Sequence, residues 1–276
     1  MNKCNISYLH EMKDEPSFIK RFVQSWLIRS EFLVRLGISE NQCWIGINLN
    51  TKSLFPFYKG KPGDIDLIIG PMSLIQPLVV DLIAFECKWY NFESEPLETK
   101  NLPPKESGIE QVRGLVQLGF DKVYLTYFIC KPPGEGINLS AWLSGSDMQN
   151  AAKRILNHPS ESGKTLWNIV NEEPFGFIIC EWGQVLGKKP ESAGSISFPY
   201  YKKCSHFKIN RKILKKRNNM AETINTAFKS FSGFGYSPLL LKQCENRDCR
   251  KLFFSECLLK GQDIPRYCDA CNNQLL

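Results

Sequence analysis

Four charged side chains stand at strand spacing among apolar neighbours, and their types suit one kind of chemistry. In Pro62-Gly63-Asp64-Ile65-Asp66-Leu67 the aspartates alternate with Ile65 and Leu67, so both carboxylates face one side of a strand. In Phe85-Glu86-Cys87-Lys88 the glutamate and the lysine share one side of a second strand in the same way. Charges set among Ile, Leu, Val and Phe cost free energy unless they pair or hold a metal. An Asp, a Glu and a Lys gathered on adjacent strands make a divalent-metal site with a cation beside it. Such a site suits hydrolysis of a phosphodiester.

A second cluster lies near the C-terminal end. Cys244-x4-Cys249 and Cys268-x2-Cys271 are separated by eighteen residues, which is ligand arithmetic for a four-cysteine zinc site with each pair on a tight knuckle. Four thiolates leave no open position for water, so this zinc is expected to be structural. The x4 spacing departs from the usual x2, and Cys257 is a spare that could replace Cys249. Arg247, Arg250, Lys251 and Arg266 surround the knuckles and suggest a grip on nucleic acid.

The elements that must position these residues follow from pattern and breakers. Asp14-Glu15-Pro16 opens a helix whose apolar positions Ile19, Phe22, Val23, Trp26, Leu27, Leu33 and Val34 recur at helical spacing as far as Gly37. A short strand spans 43–47, and the charged strands span 64–69 and 79–89. A Pro- and Glu-rich loop covers 91–106, a helix 109–118 and a strand 122–130. Two further helices are predicted at 147–156 and 164–170, with a strand at 175–182 that extends the sheet. The stretch 187–200 reads as a linker or exposed loop. A basic helix follows at 208–231, with Lys212, Lys215, Lys216 and Arg217 clustered on it. The order is helix, three strands, helix, strand.

At this point the sequence resembles the PD-(D/E)XK nuclease superfamily, the restriction-endonuclease-like fold. Pro62-Gly63-Asp64-Ile65-Asp66 stands for its "PD" element and Glu86-Cys87-Lys88 for its "ExK". The resemblance implies an α/β restriction-endonuclease-like core, with Mg2+ or Mn2+ held by Asp66, Glu86 and the backbone carbonyl of Cys87. Asp64 then serves as a supporting or second-metal carboxylate, although the sequence leaves open which aspartate is the main ligand. Lys88 would position or deprotonate the attacking water and neutralise developing charge. Glu31 matches a glutamate that many members carry on the first helix, and Gln111 a glutamine on the helix after the ExK strand. The C-terminal segment resembles treble-clef and ribbon zinc fingers. The implied domains are a nuclease domain at 1–185, a linker with the basic helix at 186–236, and a zinc ribbon at 237–276. The implied reaction is metal-dependent hydrolysis of DNA by an endonuclease, in phage defence, restriction or recombination. The partner is DNA before RNA, with a homodimer or a larger defence or recombination complex as the assemblies to test. The alternative is an inert nucleic-acid-binding adaptor that uses the basic helix and the ribbon.

Composition narrows the classes. A chain of 276 residues with 43% hydrophobic and 23% charged residues is an ordinary globular protein. Asp81 interrupts the longest apolar stretch near Leu78, so no membrane span is expected, and the N-terminal residues lack the apolar core of a signal peptide. Eleven cysteines, several of them scattered singly (Cys43, Cys87, Cys130, Cys180), suit reduced thiols in a cytoplasmic protein. His10, His158 and His206 are isolated, which argues against a histidine-based triad, and an HNH nuclease would need a histidine beyond His206. From residue 201 onward fifteen basic side chains face six acidic ones, a net of +9 within a total of +7. A near-neutral body with a basic end points to a polyanionic partner.

Overall fold

A single mixed sheet of eight strands, in the order β6-β5-β4-β3-β2-β1-β7-β8, carries helices on both faces. In this computed structural model the described residues are 15–56, 58–73, 76–91, 105–131, 146–157, 163–184, 194–205, 207, 211–233, 238–256 and 264–272. His10, His158, His206 and Cys257 lie outside them.

Helix α1 (Glu15–Gln24) buries Phe18, Ile19, Phe22 and Val23, the one-sided stripe of a helix laid on a sheet. The single helix expected at 14–37 is in fact two. Ser25, at φ −77° and ψ 87°, leaves helical geometry and separates α1 from α2 (Trp26–Arg35). The cause lies in Arg29, buried under the break. Its guanidinium donates to the Val23 carbonyl and pairs with Glu40 at 2.6 Å, satisfying an acceptor that the interruption exposes. One consequence is that Val34, counted in the apolar face by periodicity, is exposed on α2.

The strands β1 (Cys43–Asn50), β2 (Asp64–Pro71) and β3 (Ile83–Asn91) form an antiparallel meander, with the short helix α3 (Thr51–Leu54) between the first two. Helix α4 (Lys105–Leu118) then carries the chain to β4 (Lys122–Lys131), parallel to β3. Helices α5 (Ser146–Asn157) and α6 (Leu166–Glu172) lead to β5 (Gly176–Gln184), parallel to β4. These are the crossover connections that parallel strands need. The strand β6 (Gly194–Lys202) pairs antiparallel with β5, so much of the expected linker at 187–200 is an edge strand. Pro199 sits within it, and at an edge it costs no ladder bond.

The basic helix is α7 (Arg211–Lys229), and the cysteine-rich end supplies β7 (Leu239–Gln243), β8 (Leu252–Glu256) and the short helix α8 (Asp269–Asn272). The last two strands do not stand apart. β7 lies parallel to β1 and β8 antiparallel to β7, both in the same sheet. Leu239, Leu240 and Leu241 are fully buried, as in a strand covered on both faces.

The core is accordingly double. Phe18, Phe22, Ile28 and Phe32 of α1 and α2 pack on one face against Phe85 and Phe128. On the other, Val112, Leu115, Ile155, Val170 and Ile224 of α4 to α7 pack against Ile68, Ala84 and Phe177. The mixed α/β class agrees with the sequence reading, while eight strands exceed the core that the resemblance implies.

Candidate active site and metal centre

The charged strands meet where the β2–β3 ladder ends. Regular pairing covers Ile69 with Ile83, Ile68 with Ala84 and Leu67 with Phe85, and stops there. Beyond it the Asp66 carboxylate replaces the missing ladder partner, its Oδ2 accepting the Cys87 N–H at 2.6 Å. A residue's N–H and C=O lie on the same edge of a strand, so the Cys87 carbonyl also faces this gap. Glu86 is fully buried and pairs through Oε1 with the Lys88 ammonium at 2.6 Å. Lys88 reaches a second carboxylate, Oε1 of Glu15 at the start of α1, at 3.1 Å. Carboxylate oxygens of Glu15, Asp66 and Glu86 all lie within 4.8 Å of one another.

One ammonium does not balance three carboxylates at that separation. Two like charges 4.8 Å apart repel by about 3 kcal/mol even at an effective dielectric constant of about 20. The protonation equilibria record the strain. Burial, reinforced by Glu86 and Glu15, pushes the Asp66 carboxyl well up. Burial raises Glu86 to about 7 although Lys88 works against it, and burial also raises Glu15. Burial alone would lower Lys88, but Glu86, Glu15 and Asp66 together pull it up, so it stays an ammonium. Among the described residues Glu86 Oε2 is buried with no hydrogen-bond partner. A buried acceptor without a donor, inside an excess of negative charge, fits a hard divalent cation.

Other sequence candidates fall in different places. Asp64 is exposed at the first position of β2, outside the cluster of three, and its charge is felt at Glu15 and Glu86. Glu31 is not brought to the carboxylates. Its Oε1 pairs with Arg35 at 3.3 Å and its Oε2 accepts the Ile196 N–H at 3.4 Å, tying α2 to β6. Once the first helix breaks at Ser25, the glutamate that reaches the site is Glu15. Its signal in the sequence was its place as an acid in the first turn of that helix, which alone reads as ordinary helix chemistry. Gln111 is half-buried on α4, one turn after Gly108, where a Cβ would lie 3.4 Å from the Lys88 Cε. Arg113 is held by Glu173.

The second cluster forms as its spacing requires. Cys244 and Cys249 flank the turn after β7, and Cys268 and Cys271 stand at the start of α8; their four sulfurs lie within 4.8 Å of one another. The Cys249 and Cys268 sulfurs are 3.7 Å apart. A tetrahedral zinc with bonds of about 2.3 Å separates its thiolates by about 3.8 Å, so this donor set can bind a metal such as zinc. Asn246 Nδ2 points at the Cys271 sulfur at 3.5 Å. Glu245 stitches the two knuckles to the body. Its N–H donates to the Arg266 carbonyl at 2.9 Å, and its carboxylate meets Arg266 at 2.8 Å, Lys20 of α1 at 3.0 Å and Lys242 at 3.4 Å. Partial burial would raise that carboxyl, but Arg266, Lys20 and Lys242 bring it down to about 2.

The basic helix is only partly available. Lys216 donates to the Gln117 carbonyl at 2.8 Å, and Arg217 pairs with Asp121 at 2.6 Å, so both dock α7 on the end of α4. Lys212 and Lys215 are exposed, as are Arg250 and Lys251 beside the knuckle. Cys43, Cys87, Cys180, Cys204, Cys244, Cys249, Cys268 and Cys271 are in no disulfide, and no described helix is long and apolar enough to cross a membrane. Comparison with known proteins finds no family model, curated protein or solved structure that matches this chain.

Proposed function

We propose that the chain is a Mg2+- or Mn2+-dependent DNA endonuclease of the PD-(D/E)XK kind, its restriction-endonuclease-like core enlarged at both sheet edges, with a structural zinc at the C-terminal cysteines. The observation that carries this reading is the gathering of Asp66, Glu86 and Glu15 beside the Lys88 ammonium, with a buried Glu86 oxygen unpartnered among the described residues. Asp66, Glu86 and the Cys87 carbonyl would hold the ion, and Glu15 would take the place first given to Glu31. A bound divalent ion lowers the pKa of a coordinated water and offsets charge on the phosphate. Lys88, held between Glu86 and Glu15, donates hydrogen bonds to the attacking water and to a non-bridging phosphate oxygen. Asp66 keeps the ends of β2 and β3 in register by holding the Cys87 amide. Gln111, one helical turn after the Gly108 that lies beside the stem of Lys88, would touch the substrate backbone. A role in phage defence, restriction or recombination is the setting in which small nucleases of this build are found.

Metal binding tests the reading without relying on turnover. Titration of the zinc-loaded protein with Mn2+, followed by electron paramagnetic resonance, should show a site that Asp66→Asn weakens more than tenfold with zinc content unchanged. Equal Mn2+ binding by wild type and an Asp66→Asn/Glu86→Gln variant would remove the basis for a nuclease. An inert adaptor would remain.

A further inference from the structure

The contacts at one end of the sheet join basic residues that are far apart in sequence. Asn50, the last residue of β1, pairs with Asp64, and the Thr51 N–H donates to the Gly63 carbonyl at 3.0 Å. The Asn50 N–H donates to Gln243 Oε1 at 3.3 Å, and Gln243 Nε2 donates to the Arg250 carbonyl at 3.1 Å. The end that carries Asp64 and Asp66 is therefore also the end that carries the zinc knuckle. Lys52 projects from α3 at this end, and Lys59 and Lys61 from the loop leading into β2; all three are exposed, like Arg250 and Lys251. Tyr58 donates its hydroxyl to the Lys61 carbonyl, and Gly114 of α4 packs against that same carbonyl, so the loop is seated rather than loose.

Among the described residues Lys52, Lys59, Arg250 and Lys251 make no ion pair; Lys61 pairs with Glu110 at 2.7 Å. Among the described residues, the exposed acids of this end include Asp64, Glu110 and Asp248, and Asp269 on α8 beside the knuckle. From β3, which bears Lys88, across β2 and β1 to β7 is three strand spacings, about 14 Å. Cations distributed over that width beside a phosphodiester-cutting site match a polyanion that runs past the site. They do not match a single small anion.

We infer that the sheet end formed by Lys52, Lys59 and Lys61 on one side and Arg250 and Lys251 on the other is the track on which duplex DNA lies. The inference rests on the nuclease reading and deepens it. It moves the main grip from the basic helix, where Lys216 and Arg217 are spent on docking, to the rim of the site. The cysteine knuckle thereby becomes the far end of the track. Duplex DNA fits because it carries one charge per about 1.7 Å of axis, and each neutralised phosphate adds about −0.9 to the slope of log affinity against log salt. Five contacts give a slope of about −4.5.

The test is binding of a labelled duplex over a series of salt concentrations, with no divalent ion added so that nothing is cut. Wild type is compared with Lys52→Gln/Lys59→Gln/Arg250→Gln and with a control, Lys153→Gln/Arg154→Gln/Lys203→Gln, at exposed positions on α5 and after β6. The rim variant should lose about 3 from the slope magnitude, and the control little. Zinc content and melting temperature check that the variants fold, and Lys52→Gln/Lys59→Gln, expected to lose about 2, serves if Arg250→Gln disturbs the knuckle. An unchanged slope in the rim variant, or equal losses in rim and control, overturns the track while leaving the nuclease intact. Wild type that binds no duplex overturns both.

Discussion

Lys88 shares its ammonium between Glu86 and Glu15, at 2.6 and 3.1 Å, and both stability and chemistry depend on that sharing. Removing it by Lys88→Met strands a buried carboxylate, a change that costs about 3–5 kcal/mol when the charge cannot escape. The loss should be largest near pH 8 and smaller near pH 5, where Glu86 takes up a proton instead; urea denaturation at the two pH values measures the difference. The wild type carries a related signature. Glu86 has its folded pKa raised from 4.5 to about 7, so the folded state holds that proton more tightly than the unfolded one. Its contribution is fully present below pH 4.5 and is lost as pH rises through about 7. At about 1.4 kcal/mol per pKa unit, the amount is on the order of 3 kcal/mol. Without divalent ions the melting temperature should fall between pH 5 and pH 8. Added Mg2+ should restore it at pH 8, and Glu86→Gln should flatten the profile. A profile that rises with pH in metal-free protein would contradict the crowded-carboxylate site. At this scale Asp66, Glu86 and Lys88 were legible because strand alternation places polar groups among apolar ones. Glu15 was not, since its place beside Asp66 and Glu86 comes from where α1 docks, which local spacing does not encode.

The elements were legible where periodicity and burial agree. Strands β1 to β5 and helices α4 to α7 fall within a few residues of their expected spans. The failures have local causes. A continuous apolar stripe gave no sign of the break at Ser25, because the interruption is held by Arg29 reaching Val23 and Glu40, a tertiary arrangement. The strand β6 carries Ser, Gly and Pro, which read as loop until β5 supplies an edge to pair with. The run Leu239–Leu241 is too short to announce a strand without β1 beside it. Two predictions belong to this scale. A Cβ at Gly114 would fall on the Lys61 carbonyl, well inside contact distance, so Gly114→Ala must push the loop that leads into Asp64 off α4. A stability loss of about 1–3 kcal/mol is expected, with weakened Mn2+ binding; an unshifted melting curve would contradict that close approach. Because β7 and β8 belong to the common sheet, removing zinc by chelation or Cys268→Ser should lower one shared melting transition. A separate early transition, with the rest unchanged, would mean that the cysteine-rich end folds by itself.

For the whole molecule, the sequence places its excess positive charge beyond residue 200, which suggests a basic tail attached to a neutral body. The fold reorganises that reading. Part of the basic helix is consumed in docking, while Arg250 and Lys251 come round to the end of the sheet where Lys52, Lys59 and Lys61 already stand. Linear charge bookkeeping could not show this, because it depends on β7 returning to lie beside β1. The carboxylates, the ammonium and the basic rim thus share one end of one sheet, with the four cysteines bracing its edge. The most direct measurement of the central claim is cleavage of supercoiled plasmid by the zinc-loaded protein, with and without Mg2+, comparing wild type with Lys88→Ala. A nuclease built as described nicks or linearises the plasmid only with Mg2+, and loss of Lys88 slows it by about 10²–10³-fold, the range for removing one charge-stabilising donor. Cleavage that survives in Lys88→Ala at the wild-type rate, or that proceeds equally without a divalent ion, would contradict the account.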